Sequence, residues 1–250
     1  MTGQPDVLAL ADDRGVAGLV FDDLASSDLV NLILQRSEVL ADLPRPGRVI
    51  RAWEAGDKAP MLAEVERLGT AIARRAAAVI AAEYAKLRPV LAERPPGRVA
   101  DIGCGYALFD LFLARDFPAD LLLIDIENNA RRHFGFQDQG AGYASLAVAR
   151  ALLQANGVAA GRIVTLNPDK AEVTRAGKVD IAISFLSCGF HYPVDTYIPF
   201  FMQCMNPGGR VILDLRAATA DAQMARLAPL GTIRILPGPP KARRVMVTTP

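Results

Sequence analysis

The chain has 250 residues, of which 51% are hydrophobic and 22% are charged. This length allows one large domain, or one ordinary domain with an appendage, and the apolar content excludes a disordered or fibrous chain. Lysine and arginine number 28 against 27 aspartate and glutamate residues, a net charge of +1. That balance argues against a nucleic-acid partner, because neutralising a phosphate backbone needs an excess of basic side chains.

The three cysteines, Cys104, Cys188 and Cys204, are widely spaced and form no Cys-x-x-Cys pair. The spacing indicates neither a disulfide framework nor a zinc cluster, and it fits a reducing compartment. The N-terminus lacks a basic segment followed by an apolar stretch, and no uncharged run is long enough to span a bilayer. We therefore expect a cytoplasmic protein with no membrane partner.

The first part of the chain, residues 1–94, predicts a helical extension. Capping residues at 26–28 precede an expected helix at 29–40. Apolar residues at steps of three and four predict one longer helix at 61–79, with an apolar stripe of the kind that packs on a core. Such helices could serve as a cover over a site or as the surface of a homo-oligomer.

A Pro-Pro-Gly break after Arg94 predicts a domain boundary, with a second domain at residues 95–250. There, short apolar runs alternate with helical stretches, as expected for strands buried on both faces of a parallel sheet. The predicted strands are 98–102, 121–126, 162–166, 179–185, 210–215, 231–236 and 243–248. The six residues 237–242 between the last two strands are too few for a crossover helix, so these strands should pair antiparallel. We predict a doubly wound, seven-stranded α/β Rossmann-like sheet.

The strongest motif is a Gly-x-Gly turn, Asp101-Ile-Gly103-Cys104-Gly105, which follows the first predicted strand. Glycines at this place let the main chain approach a ligand at the carboxyl end of the strand. Asp125 follows the second strand, and 125 minus 103 places it 22 residues after the first glycine, the spacing at which an acid meets ribose hydroxyls. Together these residues predict a nucleotide-type site.

Three features argue against a dinucleotide. Leu108 stands where a small residue would let a helix end meet a pyrophosphate, and Asp101 would repel phosphate. The closing antiparallel hairpin is the third feature. The ligand should therefore lack phosphate.

At this point the residues resemble the class I S-adenosylmethionine-dependent methyltransferases, whose first motif is acid-x-Gly-x-Gly and whose seven-stranded sheet ends in a reversed strand. The resemblance covers residues 98–250 and implies S-adenosylmethionine as cofactor. It implies that Gly103 and Gly105 line the methionine part, Asp101 lies near the amino group, and Asp125 holds the ribose. The other cofactor residues that it implies are Cys104 in the motif, Ile126 beside the adenine, Asn167 or Asp169 at the adenine amine, and Ser184 and Phe185 at the end of the fourth strand.

The departure from this family is Ala107, where many members have a third glycine. Alanine is tolerable there if the backbone torsions are ordinary.

Two segments are candidates to recognise the acceptor: the long insertion 131–143 and the segment 187–195 after the fourth strand. Parts of both, Gln137-x-x-Gly-Ala-Gly-Tyr143 and Gly189-Phe-His-Tyr-Pro193, are similar to a bacterial group described as sugar O-methyltransferases. The candidate substrate-binding residues are His133, Phe136, Gln137, Asp138, Tyr143 and Tyr192.

A sulfonium methyl group is electrophilic without a metal, so the enzyme has to place a nucleophile in line and exclude water. For a hydroxyl acceptor, His191 is the candidate base, with Asp195 or Asp138 able to orient it, and His133 is the alternative. No cluster at ligand spacing indicates a metal. We expect methyl transfer to a small-molecule hydroxyl, such as that of a sugar. An RNA or protein methyltransferase and a non-catalytic module with this fold are the alternatives.

Overall fold

The seven predicted strands are all present in the structure, a computed structural model that describes residues 7–127 and 144–250. They agree with the predicted ranges to within two residues, except that the fifth begins five residues earlier. The strands are β1 (Arg98–Ile102), β2 (Asp120–Ile124), β3 (Ile163–Leu166), β4 (Val179–Ser184), β5 (Met205–Arg216), β6 (Thr232–Leu236) and β7 (Ala242–Thr248).

The strands form one sheet in the order β3-β2-β1-β4-β5-β7-β6. Strands β1 to β5 run parallel, whereas β7 is antiparallel to both β5 and β6. The expected doubly wound sheet with a reversed final strand is therefore confirmed. The winding changes direction at β1, which lies between β2 and β4, and such a switch point leaves a crevice at the carboxyl ends of the strands where ligands bind.

The two faces of the sheet pack into two separate hydrophobic cores. In β1, Val99 belongs to one core, and Ala100 and Ile102 belong to the other. Successive side chains of a strand point to opposite faces. Because both faces are covered, the strands are apolar along their whole length, which is why they were recognisable in the sequence.

Helices of the described residues cover both faces. They are α1 (Val7–Ala11), α2 (Arg14–Ala17), α3 (Ser26–Gln35), α4 (Gly47–Glu54), α5 (Ala59–Leu68), α6 (Ala71–Ala92), α7 (Leu108–Asp116), α8 (Leu146–Ala155), α9 (Ile198–Cys204) and α10 (Ala220–Leu227). The N-terminal helix α6 packs against α1, α3 and α7, and its buried residues belong to the same core as Val99. None of these described helices combines the length and the apolar character needed to cross a membrane. The division of the chain into domains at residue 94 stays a prediction.

Two predicted helices are wrong in extent. The single helix expected at 61–79 is two helices, because Gly69 has a φ of +52° and ends α5. Met61 and Ile72, on opposite sides of this break, still face one core, so the apolar stripe continues across it. The helix expected at 29–40 begins earlier, at Ser26, and ends at Gln35, where a short 3-10 turn follows.

Candidate functional site

A cavity of about 620 Å³ lies at the carboxyl edge of the sheet. Its lining residues follow β1, β2, β3 and β4, and others come from α3, α6 and the turn between β6 and β7. Small-molecule sites typically have volumes of about 300–1,000 Å³. The cavity lies at the switch point of the sheet and is therefore the candidate site.

The Gly-x-Gly turn lines this cavity, and both glycines have left-handed torsions, with φ of +72° at Gly103 and +58° at Gly105. The amide of Gly103 donates to the carbonyl of Ile124 at 2.7 Å, which ties the turn to β2. A Cβ atom on Gly103 would lie 2.0 Å from Oγ of Ser187. Glycine is therefore needed at position 103 both for its torsion and for the close approach of the loop after β4.

Ala107, at the start of α7, does not meet the condition of ordinary torsions under which alanine would be tolerated there. Its φ is +54° and its ψ is +33°, in the left-handed region. The turn that opens α7 thus needs left-handed torsions at a third position as well, where related motifs often have glycine. Alanine adopts them at a cost of about 1–2 kcal/mol.

Asp125 follows β2, lines the cavity and is buried. Its Oδ2 accepts a hydrogen bond from the amide of Gly105 at 2.9 Å, and the amides of Ile126 and Glu127 also donate to it. Burial raises the pKa of Asp125 to about 6, while these three amides lower it. The carboxylate is therefore mostly ionised at neutral pH and is fixed in place as an acceptor.

Asp101, at the end of β1, also lines the cavity, and it faces the carboxyl group of Asp110 on α7. Burial, with the neighbouring carboxyls of Asp110 and Asp125, raises the pKa of Asp101 well above its ordinary value. Asp110 was not predicted as a site residue. The signal that could have found it is a single acid in an otherwise apolar helical run, 108–113.

After β3, the structure decides between the two candidates that the sequence left open. Asp169 and the neighbouring Pro168 line the cavity. Asn167 does not, because its Nδ2 donates to the carbonyl of Ile126 and to Oε2 of Glu127, and its Oδ1 accepts from the amide of Asp169. Asn167 therefore holds the loop that carries Asp169, and of the two candidates the structure places only Asp169 in the cavity lining.

At the end of β4, Phe185 lines the cavity but Ser184 does not. Ser184 is fully buried, and its hydroxyl donates to the carbonyl of Ile102 at 2.6 Å and accepts from the amide of Cys188 at 2.9 Å. Its hydrogen bonds are thus used within the fold. The structure thus places Ser184 in the core, outside the cavity lining, because β4 turns this side chain inward.

The loop after β4 brings His191 and Tyr192 to the cavity, and residues distant in sequence hold it. Nε2 of Gln223 donates to the carbonyl of Gly189 at 2.7 Å, and Nε of Arg216 donates to the carbonyl of Phe190 at 2.8 Å. The loop is therefore anchored to α10 and to the end of β5. These bonds fix the main chain of the two residues that precede His191.

Asp195, predicted to orient His191, is not among the residues that line the cavity. It is exposed, and its Oδ1 accepts from Nε of Arg226 at 2.7 Å. The 3-10 turn that begins at Val194 directs Asp195 toward α10 instead, so the structure does not place it in the predicted role.

The remaining candidates lie in residues 128–143, outside the described part of the chain. They are His133, Phe136, Gln137, Asp138 and Tyr143. Within the described ranges, no group of three or more His, Cys, Asp or Glu side chains is arranged to hold a metal ion.

The sequence suggested the N-terminal helices as a cover over a site, but it did not predict which of their residues line the cavity. The end of α3 supplies Gln35 and Arg36, and a Cβ atom on Gly105 would lie 3.3 Å from Oε1 of Gln35. Arg36 forms a bidentate salt bridge with Glu83 of α6, at 2.9 and 3.0 Å. No local signal could have found these residues, because more than 60 residues separate them from the glycine turn.

The fold is shared with solved methyltransferase structures. A candidate O-methyltransferase from Nostoc punctiforme is 15% identical, with a TM-score of 0.51, over 72% of this chain and 59% of that one. A S-adenosylmethionine-dependent O-methyltransferase from Thermotoga maritima is 13% identical, with a TM-score of 0.49, over 67% of this chain and 64% of that one. The N-methyltransferase NodS from Bradyrhizobium japonicum is 14% identical, with a TM-score of 0.48, over 68% of this chain and 87% of that one.

The first of these matches shows a Rossmann-like methyltransferase fold, and at its level of identity it shows the fold alone. The chain spans about three-fifths of that protein. The other two are too distant to support an argument. No family model matches the sequence, and no curated protein matches it significantly.

Proposed function

We propose that this protein is a S-adenosylmethionine-dependent methyltransferase that acts on a hydroxyl group of a small polar acceptor, with a sugar as the favoured class. One observation carries the proposal. A single cavity joins the acidic residues that follow β1, β2 and β3 to the histidine and the aromatic residues that follow β4.

The donor groups of the cavity fit the cofactor. Asp125 offers a fixed carboxylate to the two ribose hydroxyls, and Asp101 offers an acid to the ammonium group. Ile126 and Pro168 give apolar contact for the adenine ring, and Asp169 lies beside them. When bound, S-adenosylmethionine supplies an electrophilic methyl group on a sulfonium. Among the described residues that follow β1, β2 and β3, none that lines the cavity is basic, which fits a phosphate-free nucleoside.

His191 is the side chain of the cavity best suited to accept the proton of an acceptor hydroxyl. Imidazole titrates near neutral pH, and a positioned base of this kind typically contributes about 10²–10⁴-fold to a rate. The amide of His191 donates to the carbonyl of Ser187 at 2.8 Å, and its ring packs edge-on against Phe190 with 5.3 Å between the centroids. These contacts orient the imidazole without Asp195.

Aromatic side chains next to His191 limit access of water to the reaction. Phe185, Tyr192 and Tyr197 line this half of the cavity, and both tyrosines are buried. Excluding water keeps the acceptor hydroxyl as the nucleophile that meets the methyl group. Aromatic walls beside polar groups also suit a sugar ring, and the similarity of Gly189 to Pro193 to sugar O-methyltransferases supports that class.

Ligand binding tests the proposal first. A compound that binds the native state raises its melting temperature, so S-adenosylhomocysteine should stabilise the full chain in a thermal-shift titration, whereas NAD should not. The second step supplies methyl-labelled S-adenosylmethionine with a panel of sugars and sugar-bearing metabolites, and it identifies the product by mass. No stabilisation by S-adenosylhomocysteine would refute the cofactor. Label transferred to RNA or protein but to none of the small molecules would refute the acceptor class.

A further inference from the structure

Two carboxyl groups face each other at the inner wall of the cavity. Asp101 lines the cavity with 4% of its surface exposed, and Asp110, in the first turn of α7, is fully buried. Neither side-chain oxygen of Asp110 accepts a hydrogen bond from an N–H or O–H group of another described residue, and the group that it faces is the Asp101 carboxyl. Two carboxyl groups can form a hydrogen bond to each other only if one of them keeps its proton.

The surroundings of this pair favour a retained proton. Neither carboxyl takes part in a salt bridge within the described residues. Among the described residues, the titratable groups that face the pair are Cys104 in the glycine turn and Asp125 after β2, and neither supplies a positive charge. Burial raises the pKa of both Asp101 and Asp110. At neutral pH, therefore, the pair carries one proton and one negative charge.

Basic groups elsewhere in the cavity do not change this balance. Arg36 is paired with Glu83 of α6. The other charged or ionisable side chains of the described lining, apart from Cys104 and Asp125, are Asp169 after β3, His191 after β4, Lys241 before β7 and the tyrosines Tyr106, Tyr192 and Tyr197. Within the described part of the chain, a cation that enters the cavity beside Asp101 therefore meets an acid that has no salt-bridge partner.

We propose that Asp101 and Asp110 share a proton that they release to solvent when the ammonium group of the cofactor binds, so that cofactor binding is coupled to proton release. The inference rests on the proposed function, because it requires a ligand with that ammonium group. An ammonium carries three N–H donors and a positive charge, which replace the hydrogen bond and the charge of the lost proton. Asp110 is a positioning residue, since it is fully buried and acts through Asp101.

Isothermal titration calorimetry on the full chain tests the coupling. S-adenosylhomocysteine, which carries the ammonium group, is titrated at pH 7.5 in buffers of different ionisation enthalpy, and adenosine, which lacks that group, serves as the matched ligand. We expect S-adenosylhomocysteine to release about one proton more than adenosine does. Its affinity should rise by up to about tenfold between pH 6.5 and 7.5, because a released proton opposes binding at low pH. Asp125 contributes to both ligands alike, and with a pKa of about 6 it is mostly ionised at pH 7.5.

The Asp110→Asn variant tests whether the released proton comes from the pair of Asp101 and Asp110. Its amide donates to Asp101 without a titrating proton, so the excess proton release on S-adenosylhomocysteine binding should be lost, and the affinity should rise less between pH 6.5 and 7.5 than it does in the wild type. Asp116→Asn changes another carboxyl of α7, one that is bonded to Arg88 and Tyr84, and it should keep the excess release.

The outcomes separate this inference from the proposed function. If S-adenosylhomocysteine does not bind the wild-type protein, the proposed function fails and this inference fails with it. If it binds but releases no more protons than adenosine, or if Asp110→Asn keeps the excess release, only this inference fails. Should Asp110→Asn not fold, the comparison of the two ligands on the wild-type protein still decides.

Discussion

The two halves of the cavity are held in place in different ways. In the half at β1, β2 and β3, each acid lies within three residues of the end of a strand, and Asp125 is held by amides within about 20 residues of it. In the half after β4, the loop that carries His191 is held by Arg216 and Gln223, which are contributed by the end of β5 and by α10.

This difference indicates that the two halves of the cavity have different functions. Acids in a short local framework suit a ligand whose shape does not vary, which is the cofactor. A loop anchored by distant residues can change its lining without disturbing the sheet, which suits recognition of an acceptor. Substitutions in the first half should therefore change cofactor affinity, and substitutions in the second half should change turnover.

The largest expected effect is in the second half, at His191. His191→Asn should lower turnover by about 10²–10⁴-fold, because it removes the proposed base. Binding of S-adenosylhomocysteine, measured by calorimetry, should change by less than about threefold. The matched control is Asp195→Asn, outside the cavity lining, which should keep turnover within about threefold of wild type. Equal losses in both variants would contradict the role of His191.

In the first half, Asp125→Asn should weaken S-adenosylhomocysteine binding by about 100-fold while the melting temperature changes little. Each hydrogen bond to a charged group is worth about 1.5–3 kcal/mol, and asparagine retains one acceptor for the amide of Gly105. Asp120→Asn, at the exposed start of β2, is the control and should bind as wild type does.

The raised pKa of Asp125 adds a pH test to this comparison. The ionised carboxylate is the better acceptor for the ribose, so affinity for adenosine should fall as the pH drops through about 6. Asp125→Asn should not show that fall, because the asparagine side chain does not titrate. A fall of the same size in the variant would exclude Asp125 as its source.

The two halves meet at Gly103, which contacts the loop after β4. Gly103→Ala should destabilise the protein by about 2–3 kcal/mol in denaturant unfolding, since it combines a left-handed torsion with a clash against Ser187. Gly157 also has a left-handed torsion, but a Cβ atom there would meet open space. Gly157→Ala should therefore lower the free energy of unfolding by about 1 kcal/mol. Gly161 has neither a left-handed torsion nor a close neighbour, so Gly161→Ala should change the free energy of unfolding by no more than about 0.5 kcal/mol. A cost at Gly103 no greater than that at Gly157 would show that the contact with Ser187 is unimportant.

The smallest effect is expected at Gln35, which lies over the glycine turn from the N-terminal helices. Gln35→Ala removes a neutral polar group near Gly105 and should weaken S-adenosylhomocysteine binding by about threefold to tenfold. Gln154→Ala, on the exposed side of α8, is the control. If Gln35→Ala leaves the affinity for S-adenosylhomocysteine unchanged, α3 covers only the acceptor half of the cavity.

Much of the cofactor half could be predicted from the sequence because its signals are local. Asp101, Gly103 and Asp125 sit at fixed places relative to strands that are apolar along their length, and the parallel sheet brings strand ends together at one edge. The same signals did not specify that Ser184 and Asn167 lie outside the cavity lining. Both stand at strand ends, but side-chain direction there depends on how the strand terminates, which sequence pattern does not specify.

The sequence by itself determined the order of the strands along the chain, the reversed final hairpin and the acids of the cofactor half, because each depends on residues close together in the chain. Only the tertiary structure decided that Gln35 and Arg36 cover the cavity, that Asp110 faces Asp101, and that Asp195 lies away from His191. These contacts join elements that are apart in sequence or depend on the exact rotation of a helix or turn. Their geometry is set by the packing of the whole core, to which every helix and strand contributes.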